Sequence, residues 1–226
     1  MKYTIIGLGY FGATLAAKLT AQGHEVIGID RHPERADELK DKITRVMVMD
    51  SSKPAALQSL PLSDCDAVLV AIGEDIAASI MTLSVLKKLG IRRLIGRAIN
   101  PIHHNILHEL GIEEIVHPEE DTATEVASML MLRNTVNAMI VNERTIVAEV
   151  KIPAAYIGHS LDAVNLAERF GVKPVAVKIA PPEKGPGAIL NKDYKVDLEM
   201  DPGRALGEKD RLIVIGAIDK IKRFLE

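Results

Sequence analysis

The chain has 226 residues, 47% of them hydrophobic and 26% charged, enough for one or two domains with substantial cores. A net charge of −3, aromatics at 3% and no Trp argue against a general affinity for nucleic acid or anionic membranes, and against a base-stacking surface. Cys65 is the single cysteine, so no internal disulfide can form, and the composition fits a reducing cytosol.

In chain order, the first residues run straight into an apolar strand pattern at 3–6, so no leader peptide is expected. Gly7-Leu8-Gly9-Tyr10-Phe11-Gly12 follows at once, then an Ala/Leu-rich helical stretch at 11–20. A second apolar run at 25–29 is closed by Asp30, 18 residues after Gly12. Strand, glycine loop, helix and acid in this register form a dinucleotide-binding fingerprint. Gly7 serves the tight turn, Gly9 lets the backbone approach a pyrophosphate, and Gly12 lets the helix pack on the strand. The helix N-terminus offers N–H groups to phosphate, and Asp30 can take ribose hydroxyls.

Further strands are expected at 45–49, 67–71, 93–98 and 114–116, as short apolar runs covered on both faces. Helices are expected at 33–40, 76–89 and 101–110; Pro33 stands at a helix start, and Gly90 and Gly111 at helix stops. The alternation implies a Rossmann-like, doubly wound parallel sheet. The longest strongly apolar stretch, 67–73, is far too short to span a membrane. A further helix at 118–132 begins with three acids, Glu119, Glu120 and Asp121, which complement its dipole. Its Val126, Met129, Leu130 and Leu132 suit either a second chain or the sheet of their own domain. After Asn142 the pattern changes to a small α+β module: strands at 145–152, 173–179 and 211–215, helices at 162–170 and 217–225, and a Pro/Gly-rich loop at 180–188. The expected division is 1–117 (nucleotide-binding), 118–143 (crossover helix and linker) and 144–226 (regulatory).

Ligands of open α/β sheets bind outside the carboxyl ends of the strands. Asp50-Ser51-Ser52, Ala71-Ile72-Gly73-Glu74-Asp75 and Arg97-Ala98 close the third to fifth strands and so join the glycine loop, Asp30 and Arg31 around one crevice. Asp50 suits the adenine edge, the backbone of Ala71, Ile72 and Gly73 the ribose-phosphate path, and Arg97 a phosphate. Asp50 and Asp75 equally suit helix caps or turns, and Arg97 a surface salt bridge. Tyr10, Phe11, Ser51 and Glu74 complete the candidate nucleotide site. His103, His104 and His108 cluster on one helix; the plain expectation is a solvated face, since no HExxH pattern or further ligand set accompanies them. No Ser-His-Asp arrangement, P-loop, cysteine cluster or placed acid–base residue is readable, so no catalytic residue is assigned.

The glycine loop, Gly23-His24-Glu25-Val26 leading to Asp30, Ala71-Ile72-Gly73-Glu74-Asp75 with Ala78-Ser79, and Ile115-Val116-His117-Pro118-Glu119 resemble the regulatory domains of potassium channels and transporters. This is the RCK family, also described as a TrkA-N and TrkA-C pair. Leu166-Ala167-Glu168-Arg169-Phe170-Gly171-Val172 and Glu208-Lys209-Asp210-Arg211-Leu212-Ile213-Val214 carry the likeness into the second module. Order and size are most similar to soluble subunits of Ktr-type potassium uptake systems.

The resemblance implies dimers assembled into a ring, usually octameric, beneath a membrane pore subunit. It implies ATP, ADP or NAD(H) in the crevice and a cytoplasmic location at the inner membrane face through that partner. It also implies a divalent cation near Glu119 and the nucleotide phosphates, and cyclic di-AMP between two C-terminal modules around Arg169 and 175–177. Ktr-type subunits often carry Arg where this chain has Tyr10; an uncharged Tyr10 makes ADP or NAD(H) more competitive with ATP. Asp30 disfavours NADP by repelling a 2′-phosphate. The resulting expectation is a nucleotide-binding gating subunit. The alternative is a small NAD(P)-dependent oxidoreductase.

Overall fold

The computed structural model describes residues 1–181 and 194–226, so most of the loop expected at 180–188 lies outside the described residues. The chain forms two compact units, Met1–Glu120 and Asp121–Glu226.

In the first unit, β1 (Lys2–Ile6), β2 (Glu25–Asp30), β3 (Arg45–Val48), β4 (Ala67–Val70), β5 (Leu94–Arg97) and β6 (Glu114–Val116) form one parallel sheet. Its order is β3-β2-β1-β4-β5-β6, so the chain reverses its winding beside β1. The sheet is buried on both faces. Ile5, Val26 and Leu69 enter one apolar cluster, and their neighbours Ile6, Ile29, Val68 and Val70 enter another with Leu83, Leu86 and Leu107. That is why these strands read as continuous apolar runs rather than alternating ones.

Helices α1 (Tyr10–Ala21), α2 (Pro33–Asp37), α3 (Pro54–Gln58), α4 (Ile76–Lys88) and α5 (Pro101–Glu109) link the strands. Pro opens α2, α3 and α5, where a missing N–H costs nothing. Asp75 caps α4 by accepting from Ala78 N, and Asn100 caps α5 by accepting from His103 N. Helix α2 ends at Asp37, earlier than the expected 40, and the sequence reading missed α3.

Helix α6 (Pro118–Met131) begins in the first unit and ends in the second. Val126 and Leu130 are exposed, and Leu132 is buried in the core of the second unit. That unit is an antiparallel sheet of order β10-β9-β11-β8-β7, built from β7 (Thr135–Ile140), β8 (Thr145–Lys151), β9 (Lys173–Ile179), β10 (Lys195–Asp197) and β11 (Arg211–Ala217). Along β8 the buried residues Ile146, Ala148 and Val150 alternate with partly exposed ones, as expected for a half-covered sheet. They pack with Leu212, Val214, Ile221 and Phe224, where α9 (Ile218–Leu225) closes the core.

Two expectations are corrected here. Residues 135–140, read as linker, form edge strand β7. The helix expected at 162–170 is two short helices, α7 (Leu161–Val164) and α8 (Leu166–Phe170), broken by Asn165 at φ 46°. Asn tolerates that left-handed conformation better than most residues.

Candidate functional site

The loops at the carboxyl ends of β1, β2, β3, β4 and β5 surround one cavity of about 490 Å³, within the usual range for ligand sites. Gly7, Gly9, Tyr10, Phe11, Asp30, Arg31, Asp50, Ser51, Ala71, Ile72, Gly73, Glu74, Arg97 and Glu119 all line it. Gly12 does not line it. It serves the loop, since a Cβ there would lie 2.0 Å from Gly7 O. Gly7 sits at φ +94°, and its own Cβ would meet Ile72 N at 2.9 Å. Gly9 differs: the nearest atom to a Cβ there is Arg35 Nη1 at 3.9 Å, so the backbone at Gly9 stays open to the cavity. No side chain caps α1. Open backbone at Gly9, an uncapped helix start and nearby guanidinium groups fit a nucleotide phosphate.

Asp30 is 5% exposed. Its Oδ2 accepts from Leu8 N at 2.6 Å, and its Oδ1 accepts from His32 N at 2.9 Å and lies 3.0 Å from His32 Nδ1. Most of its acceptor capacity is therefore committed inside the chain. Burial pushes this carboxyl up, but the N–H donors of His32 and Leu8, the His32 ring and nearby Arg35 outweigh it, so it lies below its ordinary value.

Two ion pairs join the loop after β2 and helix α2 to the loop after β4. Arg31 Nη1 lies 3.3 Å from Asp75 Oδ2, and Arg35 Nη2 lies 2.8 Å from Glu74 Oε1. Arg97 crosses the opposite side. It donates to Ala71 O at 3.1 Å, pairs with Glu119, and its guanidinium carbon stands 5.4 Å from the centre of the Phe11 ring. Arg97 is ion-paired, largely buried rather than on the surface, and it lines the cavity. Asp75 caps a helix while lining the cavity, and Asp50 accepts from Ser52 N and Oγ while doing the same. Tyr10 is 92% exposed. Ser51 is buried against Thr82, their hydroxyls 3.1 Å apart.

The sequence reading missed Ile29, His32, Arg35, Ala78 and Ile99 as lining residues. His32 and Arg35 carry a signal it passed over: both follow the fingerprint acid Asp30 closely in sequence, at the start of the next loop and in α2. The expectation of a solvated histidine face is corrected for His103; His104 is half-buried and His108 exposed. His103 is buried with both ring nitrogens unpartnered, and burial lowers its pKa. His104 Nδ1 lies 2.9 Å from His117 Nε2. Among the described residues, no group of three or more His, Cys, Asp or Glu is arranged to hold a metal ion. No helix among them is long and apolar enough to cross a membrane. In the second unit, Arg169 packs its guanidinium over the rings of Tyr156 and Phe170.

Sheet order, glycine loop and crevice define a Rossmann-like nucleotide-binding fold coupled to a small antiparallel module. Residues 3–118 match the model of the TrkA-N domain, and the chain belongs to that family. Over 223 residues it is 30% identical to Ktr system potassium uptake protein C of Bacillus subtilis (strain 168), covering 99% of this chain and 95% of that protein. It is 25% identical to Ktr system potassium uptake protein A of Vibrio alginolyticus over 225 residues, covering 100% and 96%. Among solved structures, the GsuK channel bound to NAD shares the fold at a TM-score of 0.63 and 15% identity. That likeness covers 99% of this chain but 39% of the channel chain.

Proposed function

We propose that this chain is a cytoplasmic, nucleotide-binding regulatory subunit that gates a potassium channel or transporter. The observation that carries the reading is an end-to-end likeness to Ktr potassium uptake proteins, in a chain whose glycine loop and strand ends line one crevice. An adenine nucleotide, ADP, ATP or NAD(H), occupies the crevice. Gly7, Gly9 and the start of α1 take its phosphates, Asp30 and Arg31 border its ribose, Asp50 and Ser51 its base, and Ala71, Ile72, Gly73 and Arg97 the path between. Glu119 joins the phosphates in holding a divalent cation. The chain carries no catalytic step.

The ligand acts by population shift. It moves an oligomeric ring, built from dimers and octameric in the full assembly, only by its difference in affinity between two ring states. The ring sits at the inner membrane face through its pore partner. The exposed Val126 and Leu130 of α6 are offered to a second copy. The regions are 1–117, 118–143 and 144–226, and the last binds cyclic di-AMP around Arg169 and 175–177.

The test is equilibrium binding of ATP, ADP, NADH and NADPH, with and without Mg²⁺, with oligomer mass recorded in each state. Micromolar binding by a ring-sized species is the expected result. A monomer that binds no nucleotide overturns the reading. A dimer that binds only NAD(P)H and turns over small carbonyl substrates replaces it with an oxidoreductase.

A further inference from the structure

The glycine loop brings no charge of its own to the crevice, since its side chains are Leu8, Tyr10 and Phe11. The cation over it comes from α2. Arg35 Nη1 lies 3.9 Å from the point a Cβ on Gly9 would occupy and 3.7 Å from Asp30 Oδ2, while Nη2 donates to Glu74 Oε1 at 2.8 Å. Gly9 is the position of this fingerprint where the backbone comes nearest a pyrophosphate. A phosphate laid there therefore meets this guanidinium.

The two partners of Arg35 are unequal. Asp30 is buried and tied to Leu8 and His32, so it holds the guanidinium in place. The Glu74 side chain is 69% exposed and stands on the loop after β4. We propose that Arg35 is the phosphate-recognition residue of the crevice, and that Glu74 is an exchangeable place-holder displaced when a nucleotide phosphate arrives. An exposed ion pair is cheap to break, and the carboxylate it releases returns to water. The planar fork of Arg gives a phosphate two parallel N–H donors in exchange. This inference rests on the nucleotide reading and extends it by naming the residue pair that sets phosphate affinity.

The test measures binding of adenosine, AMP and ADP to the full chain and to Arg35→Ala, Arg35→Lys and Glu74→Gln, with thermal unfolding of each. Arg35→Ala is expected to weaken AMP and ADP by at least about tenfold and leave adenosine unchanged. Arg35→Lys keeps the charge without the fork and falls between. Glu74→Gln leaves Arg35 in place without its competitor and is expected to tighten AMP and ADP by about threefold, with adenosine unchanged. If Arg35→Ala fails to fold, Glu74→Gln alone decides. Equal loss of adenosine and AMP in Arg35→Ala, or unchanged AMP and ADP affinity in Glu74→Gln, overturns the inference and leaves the nucleotide reading standing. If the unaltered chain binds neither AMP nor ADP, the nucleotide reading itself fails.

Discussion

Asp30 Oδ2 accepts the backbone N–H of Leu8 at 2.6 Å, so one buried carboxylate ties the glycine loop after β1 to the end of β2. Its other oxygen accepts from His32 N, two residues on, and fixes the start of the following loop. The fingerprint acid therefore shapes the cradle before any ligand arrives. Two main-chain donors, a buried one on Leu8 and a partly buried one on His32, are satisfied by a charged acceptor.

Removing that acceptor leaves both donors unpaired. Asp30→Ala is expected to lower the stability of the chain by about 2–4 kcal/mol, read from the midpoint of urea unfolding. Asp30→Asn retains one acceptor oxygen and is expected to lose less. An unchanged midpoint for Asp30→Ala would show that the Leu8 and His32 contacts contribute nothing.

Two groups give stability a pH dependence of known sign. Asp30 lies below its ordinary value when folded, so its contribution is complete above about pH 4 and is lost as pH falls through the folded value. His103 is a base lowered by burial, so below about pH 6.5 the unfolded chain takes the proton first and stability falls with pH. His103→Leu removes two unpartnered buried ring nitrogens. It is expected to flatten the stability curve below about pH 6.5 and to cost little at pH 8. Unfolding curves collected from about pH 3 to 8 check both; an unaltered slope below about pH 6.5 in the His103→Leu variant would exclude His103 as the source.

The three loop glycines do different work and separate cleanly in mutation. A Cβ at Gly12 would sit 2.0 Å from Gly7 O, a main-chain atom with no room to yield. Gly12→Ala is therefore expected to cost about 3 kcal/mol or more. At Gly9 the nearest neighbour is the far end of Arg35, 3.9 Å away. Gly9→Ala is expected to unfold like the unaltered chain while binding nucleotide at least about tenfold more weakly, because its methyl enters the space the pyrophosphate needs. Paired unfolding and binding measurements on the two variants check this; equal stability loss in both would refute the division.

Tyr10 stands 92% exposed at the start of α1, on the glycine loop. Tyr10→Arg is expected to raise ATP affinity relative to ADP by about tenfold, the scale of one charge-assisted hydrogen bond. Parallel titrations of both nucleotides against the variant report it. An unchanged ATP/ADP ratio would show that position 10 does not set nucleotide choice.

Much of the first unit was legible from local signals. Its strands are buried on both faces and read as short apolar runs, and its helices are marked by Pro33 and Pro101 at their starts and Gly90 and Gly111 at their stops. The glycine loop announced the crevice because tight turning and close backbone approach need residues without side chains. Less local signals were missed. Helix α3 and strand β10 span only five and three residues, too short for a periodic pattern, and β7, an edge strand, pairs among the described residues only with β8. Periodicity shows what one element buries, not which partner lies across a sheet.

The sequence by itself determined the succession of the six strands of the first unit, the glycine loop and the acid that follows it. Only the tertiary structure decided how those groups are used. Asp30 is turned inward to Leu8 and His32, Arg35 hangs over Gly9, Arg97 lies between Phe11, Ala71 and Glu119, and His103 is buried. The physical reason is that charge and burial are pairwise. A carboxylate or guanidinium acquires its role from the donor, acceptor or solvent it meets in space, and those partners stand on different strands and loops.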